Sequence, residues 1–217
     1  MHENVNKEID PNELSPELLL WGYQRGWFPM ADPDDPAIHW YNPDPRAILP
    51  LDDFHIPKSL LREVNKGRFE ITCDKDFIGT MRACSKPRSD DDLTWIDQRM
   101  IDAYVELNKL NSAHSIEAWL DGKLVGGLYG VQIAGAFFGE SMFSFPASGG
   151  TNSSKICLVH LVQWMKSRGM KLLDTQFWTE HLERFGCIEI PRDDYLAKLG
   201  QAISDDIDWG NFEVISL

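Results

Sequence analysis

The sequence predicts an α+β fold in which a mainly antiparallel central sheet carries helices, with a smaller α/β unit ahead of it. Three observations point there. Residues 115–120, 124–133 and 136–143 are consecutive β-prone apolar runs, the first two joined by the Asp121-Gly122 turn signal, and form an antiparallel meander. Residues 154–167 set Cys157, Leu158, Leu161, Val162, Trp164 and Met165 at helical spacing, with a stop at Gly169. Residues 171–177 then return to strand-like sequence.

The remaining elements follow from local signals. Ser15-Pro16-Glu17 supplies a cap, a proline at the first helical position and an acid in the first turn, so a helix runs over 18–24 and ends at Gly26. Residues 29–50 are too rich in proline for a helix and are expected as an ordered loop with short strands. Helices are expected at 57–64 and 76–84 with a strand at 68–72 between them, and 97–108 reads as an amphipathic helix. The division falls at residue 56, giving units 1–56 and 57–217 without internal repeats.

Composition narrows the function classes. A chain of 217 residues with 43% hydrophobic and 25% charged residues is ordinary globular protein. Its net charge of −13 disfavours a long nucleic-acid surface, because phosphate affinity comes from Lys and Arg. Between Lys58 and Arg88, however, eight basic residues face four acids, which is either a solvated helix face or a small platform for an RNA end. The four cysteines lack Cys-x-x-Cys spacing and fit reduced thiols in the cytoplasm. The six histidines have no metal-ligand spacing, so neither a catalytic metal nor a cofactor is expected. Residues 1–13 lack the apolar core of a signal peptide, no stretch is apolar enough to span a membrane, and a monomer is expected.

Two acids stand inside apolar, strand-like sequence. Glu140 lies in Phe137-Phe138-Gly139-Glu140-Ser141-Met142-Phe143-Ser144, and Asp174 in Leu172-Leu173-Asp174-Thr175-Gln176. An ionised carboxylate in an apolar setting costs several kcal/mol unless it is paired, so two of them suggest a working site. The period of two puts Phe138, Glu140 and Met142 on one strand face, and Asp174 beside Gln176 on another. Asp174 equally fits a strand-ending residue that caps a turn or pairs with an Arg.

These segments resemble the leucyl/phenylalanyl-tRNA–protein transferase family. The resemblance is carried by Gly139-Glu140-Ser141-Met142-Phe143-Ser144, Leu173-Asp174-Thr175-Gln176, His181-Leu182, Ile190-Pro191-Arg192 and the segment from Trp40 to Arg46, with further colinear motifs from about Leu14 to Leu199. It implies a GNAT-like C-terminal part, which the order of meander, helix and strand also suggests. It further implies transfer of Leu or Phe, and less readily Met, from the 3′ end of aminoacyl-tRNA to the N-terminal amine of proteins that begin with Arg or Lys, marking them for degradation. On that resemblance, Asp174, Gln176 and Glu140 are the catalytic candidates, with Asp174 polarising Gln176, Gln176 orienting the amine and Glu140 pairing with the acceptor's cation. Leu128, Phe137, Phe138, Gly139, Ser141, Met142 and Leu173 are candidates for the donor slot, and Tyr41, Trp40 and Trp95 for stacking on the terminal adenosine. His114 and His181 could equally be structural.

Some positions depart from the family pattern. The stretch from Phe145 to Ser154 is longer than usual and rich in Gly and Ser, Phe145 replaces an Arg, Thr175 a Cys, and Met30 and Tyr41 each a Trp. The loop could bind a phosphate or simply be a loop. Two other functions fit such a chain: an acyl-CoA-dependent N-acetyltransferase, weakly suggested by Gln132-Ile-Ala-Gly135-Ala136-Phe137, and a non-catalytic module that binds N-terminal residues.

Overall fold

The computed structural model describes residues 14–87 and 94–216. Ser15 caps α1 (Pro16–Tyr23) through its side-chain oxygen, as the sequence predicts. The proline-rich stretch folds as a two-stranded antiparallel ribbon of β1 (Phe28–Asp32) and β2 (Asp35–Tyr41), where prolines are tolerated because much of each strand's edge is free. It ends in β3 (Arg46–Ile48), which joins the main sheet. Next come α2 (Lys58–Asn65), β4 (Glu70–Cys73), α3 (Phe77–Cys84) and α4 (Gln98–Lys109), the last two capped by Asp76 and Asp97. The expected meander is β5 (Ala113–Leu120), β6 (Lys123–Ile133) and β7 (Ala136–Ser144). It is followed by α5 (Ser153–Ser167) and β8 (Leu172–Gln176). Sequence patterning missed α6 (Glu180–Glu183), β9 (Ile188–Ile190) and α7 (Arg192–Ile203).

Seven strands form one sheet in the order β4-β5-β6-β7-β8-β3-β9, antiparallel except for the β7–β8 pair. Apolar residues fill both faces. One cluster joins Tyr23, Met81, Tyr104, Phe138 and Tyr195 from α1, α3, α4, β7 and α7, and the other joins Leu60, Phe137, Leu161 and Leu173 beneath α2 and α5. Helix α5 lies close enough to the sheet that a Cβ at Gly126 would meet Ser153 Oγ at 1.9 Å, so only glycine fits there.

One irregularity interrupts the meander. Leu128 pairs with Met142 and Tyr129 with Ser141, but Gly130 pairs with Gly139, leaving Glu140 as an extra residue in β7. Such a bulge shifts the alternation by one residue. Phe138 therefore belongs to the cluster on one face and Met142 packs with the cluster on the other, which corrects the expectation that Phe138, Glu140 and Met142 share a face.

Candidate active site

Strands β7 and β8 run parallel only over Ala136–Phe138 and Leu172–Asp174, then part. Glu140 and Gln176 stand just past this fork, one from each strand. A cleft of about 740 Å³ opens there, lined by both residues. Diverging parallel strands leave a crevice at their carboxyl ends that neither strand's side chains fill.

Asp174 lies behind the cleft and is fully buried. Its Oδ1 accepts from Arg46 Nε at 2.9 Å and from the Gln176 backbone N–H at 2.9 Å, while its Oδ2 accepts from Arg46 Nη2 at 2.6 Å and from Tyr195 Oη at 2.7 Å. Arg46 also donates to the Gly26 carbonyl at 2.8 Å, and its guanidinium lies over the rings of Phe28 and Tyr195. Both structural alternatives for Asp174 thus occur together: it pairs with an Arg, and it closes a turn onto the residue two positions on. Its contact with Gln176 is through the backbone. That contact holds Gln176 at φ 58°, a left-handed conformation that costs a non-glycine residue about 1 kcal/mol or more.

The Gln176 side chain reaches Glu140 instead, with Nε2 3.3 Å from Oε1. Glu140 accepts from Tyr23 Oη at 2.8 Å and from Tyr104 Oη at 3.4 Å, and the two phenols bond each other. Burial pushes the Glu140 carboxyl up to about 8, against the opposing pull of the Tyr23 hydrogen bond. Burial, with the nearby Glu140 charge, raises both phenols well above their ordinary range, so they remain neutral donors. Sequence reasoning missed Arg46, Tyr23, Tyr104 and Tyr195 as parts of the site. The available signal for Arg46 was its place beside the apolar Ala47-Ile48-Leu49, where a buried cation needs an acid.

Of the residues singled out from sequence, Trp95, Leu128, Gly139, Ser141, Met142 and Leu173 line the cleft with Glu140 and Gln176. Leu158 and Leu161 of α5 extend its apolar wall, and Phe28, Met30 and Phe177 also line it. Phe137 and Phe138 do not reach the cleft; both are fully buried, Phe137 against Trp209 and Phe138 against Tyr23. Trp40 packs against Gly22 and the core, and Tyr41 is an exposed ring stacked on Phe28, outside the cleft lining.

Other sequence candidates resolve locally. Phe145 lines the cleft, packs on Phe143 and carries the Lys86 ammonium above its ring. The backbone N–H groups of Ser153 and Ser154 bond the Gly150 carbonyl and Ser144 Oγ, which takes them away from any phosphate. The segment around Gly135 is the β6–β7 hairpin turn, with the Gly135 N–H on the Ala202 carbonyl, and does not face a helix N-terminus as a pyrophosphate loop must. His114 lies away from the cleft, 2.7 Å from Asp74 and stacked on Trp209. Cys73 completes a cluster with them in which the three ligand-type atoms lie within 4.8 Å, but burial pushes its thiol well up and so disfavours the thiolate a metal needs. His181 lines the cleft.

The sequence matches the family described as leucyl/phenylalanyl-tRNA protein transferase over residues 48–200, and the N-terminal domain of that family over residues 12–44. It is 48% identical over 199 residues to a leucyl/phenylalanyl-tRNA–protein transferase of Salinibacter ruber, covering 92% of this chain and 84% of that protein. It is also 48% identical over 193 residues to the Paramagnetospirillum magneticum protein of the same description, covering 88% and 90%. Among solved structures, L-PGS from Bacillus licheniformis aligns with a TM-score of 0.40 at 17% identity, over 77% of this chain and 55% of that one, too loosely to bear on mechanism.

Proposed function

The chain belongs to the leucyl/phenylalanyl-tRNA protein transferase family, and we propose that it moves Leu or Phe, with Met a lesser donor, from aminoacyl-tRNA to the N-terminal amine of proteins that begin with Arg or Lys. The observation that carries this reading is one cleft that joins an apolar wall to a polar end. Leu128, Met142, Leu158, Leu161 and Leu173 suit an aromatic side chain or an aliphatic one without a β-branch, while Glu140 and Gln176 stand where an amine could be held. Trp95, Phe28 and Phe177 offer aromatic surface for the terminal adenosine, since single-stranded RNA ends are held by stacking.

The reaction is aminolysis of an ester. The amine nitrogen attacks the carbonyl carbon, the bond from that carbon to the ribose oxygen breaks, the ribose oxygen gains a proton and the nitrogen loses one. An α-amine has a pKa of about 8, so a useful fraction is neutral at physiological pH. Gln176 donates through Nε2 to Glu140, which leaves its amide oxygen to accept from the amine and fix its direction. Glu140, held near the amine's own pKa, is matched to take the proton with little driving force either way. Orientation supplies the larger share, as effective molarities can reach on the order of 10⁵ M. An approaching Arg or Lys side chain would also favour the ionised form of Glu140.

We read the arrangement of β5, β6, β7, α5 and β8 as a GNAT-like catalytic unit, supported by the meander and the parallel strand that follows its helix. The division into units 1–56 and 57–217 remains part of this proposal. A cytoplasmic monomer is the setting we infer. Four free cysteines support a reducing compartment, and no helix among the described residues is long and apolar enough to cross a membrane. The product would be a protein with a new N-terminal residue that directs it to degradation. Peptides beginning with Arg, Lys, Asp or Ala, incubated with Leu- and Phe-charged tRNA, test acceptor choice: gain of mass on the first two supports it, and gain on the Asp or Ala peptide alone refutes it.

A further inference from the structure

A second cavity, of about 460 Å³, shares a wall with the active-site cleft. On α5, Ser154 lines the cleft while Lys155 lines the second cavity; around α6, Leu182 lines the cleft while Arg184 lines the other. The first turn of α5 and the end of α6 therefore stand between the two.

The second cavity is cationic in a chain whose net charge is −13. Arg68, Lys155 and Arg184 line it against a single acid, Glu63, whose carboxylate is 2.6 Å from Lys66 Nζ and already paired. The three cations are loosely engaged. Arg68 lies over the Phe69 ring, Lys155 Nζ is 3.2 Å from Asn152 Oδ1, and the Arg184 guanidinium has no hydrogen-bond or ion-pair partner among the described residues. Because the first N–H groups of α5 are already bonded, an anion here would be held by side chains, two of them guanidiniums whose fork matches phosphate oxygens.

We propose that this cavity is a phosphate subsite for the RNA whose aminoacylated end occupies the neighbouring cleft. The subsite rests on the transferase reading of that cleft. Charge selects the donor over the acceptor: three cations attract a phosphodiester and repel a peptide that begins with Arg or Lys. The contact lies outside the chemistry and adds affinity for long donors only.

The test compares two donors for the whole protein: charged tRNA, and a 3′-aminoacyl adenosine that carries no phosphate. Arg184→Gln and Lys155→Gln are each expected to raise KM for charged tRNA about 3- to 10-fold and to reduce the log–log salt slope by about 0.7 per lost contact. Arg184→Lys should keep most of the affinity. Turnover of the aminoacyl adenosine should be unchanged in every variant, which also shows that the variants fold. Unchanged KM for tRNA, equal loss on both donors, or a rise confined to the peptide KM would each overturn the subsite. Failure of the unmodified protein to use either donor would instead overturn the transferase reading itself.

Discussion

Arg46 and Asp174 form a fully buried two-point ion pair, with Nε–Oδ1 at 2.9 Å and Nη2–Oδ2 at 2.6 Å, and the same carboxylate holds the backbone N–H of Gln176. The pair ties the last strand of the proline-rich segment to the strand that bears the site. Asp174 thus touches Gln176 through the backbone, where the resemblance implied polarisation of the side chain.

Breaking that pair from one side should be costly. Arg46→Met leaves a buried carboxylate and Asp174→Leu a buried guanidinium, and removing one partner of such a pair costs about 3–5 kcal/mol. Chemical denaturation should show both single variants strongly destabilised, and Arg46→Met with Asp174→Leu less destabilised than the two single losses added. Additive losses would mean that the pair is not coupled.

Stability and activity should separate at Gln176. Its left-handed backbone suits glycine, so Gln176→Gly should change stability by no more than about 1 kcal/mol. The same change removes the side chain that reaches Glu140 and should lower kcat by about 10-fold or more. Thermal melts and initial rates on one preparation measure both.

The site was only partly legible in the sequence. Glu140 and Asp174 drew attention because acids in apolar runs are costly, and the structure does place both at the fork between β7 and β8. The alternation around Glu140 could not be followed, since nothing in Gly139-Glu140-Ser141 distinguishes a bulge from a regular strand. Leu128, Met142 and Leu173 line the cleft while Phe137 and Phe138 are core alone, a difference the sequence does not carry because cleft and core draw on the same apolar strand faces. Tyr23, Tyr104 and Tyr195 come from three helices distant in sequence, and only their tertiary packing brings their hydroxyls to the two acids. The cap, the meander and α5 rest on local patterning and were readable; α7 has no side-chain cap and carries Gly200 within it, and its role emerges only once Tyr195 and Leu199 are seen in the core.

The pH dependence of activity should carry the mark of Glu140. Its carboxyl titrates at about 8, close to the acceptor amine, so log kcat/KM should rise with a slope near two below that range. In Glu140→Gln only the amine remains, and the slope should fall to about one with a loss of roughly 10²-fold or more in rate. An unchanged slope would remove Glu140 from proton transfer.

Stability should respond in the opposite sense. A carboxyl whose folded pKa lies above its unfolded value contributes stability below the unfolded pKa of about 4.3 and loses it as pH rises through about 8. The unfolding free energy of the unmodified protein, read by chemical denaturation, should therefore decline across that window relative to Glu140→Gln, with a slope no steeper than about 1.4 kcal/mol per pH unit.

Donor choice should follow the apolar wall. Met142 lines the slot and is only partly buried, so Met142→Phe should narrow the slot without emptying the core. Leu transfer should be favoured over Phe transfer by about 10-fold, within the roughly 1–3 kcal/mol that such pockets discriminate. Competition between the two charged tRNAs reads the ratio.

The most direct test is mass measurement of a peptide beginning with Arg after incubation with Leu-charged tRNA and the protein, beside Gln176→Ala and Glu140→Gln. The account predicts one added Leu on the N-terminal amine, strongly reduced in both variants while both still melt cooperatively and keep their tRNA affinity. No added mass with the unmodified protein, or equal transfer by all three, would contradict it.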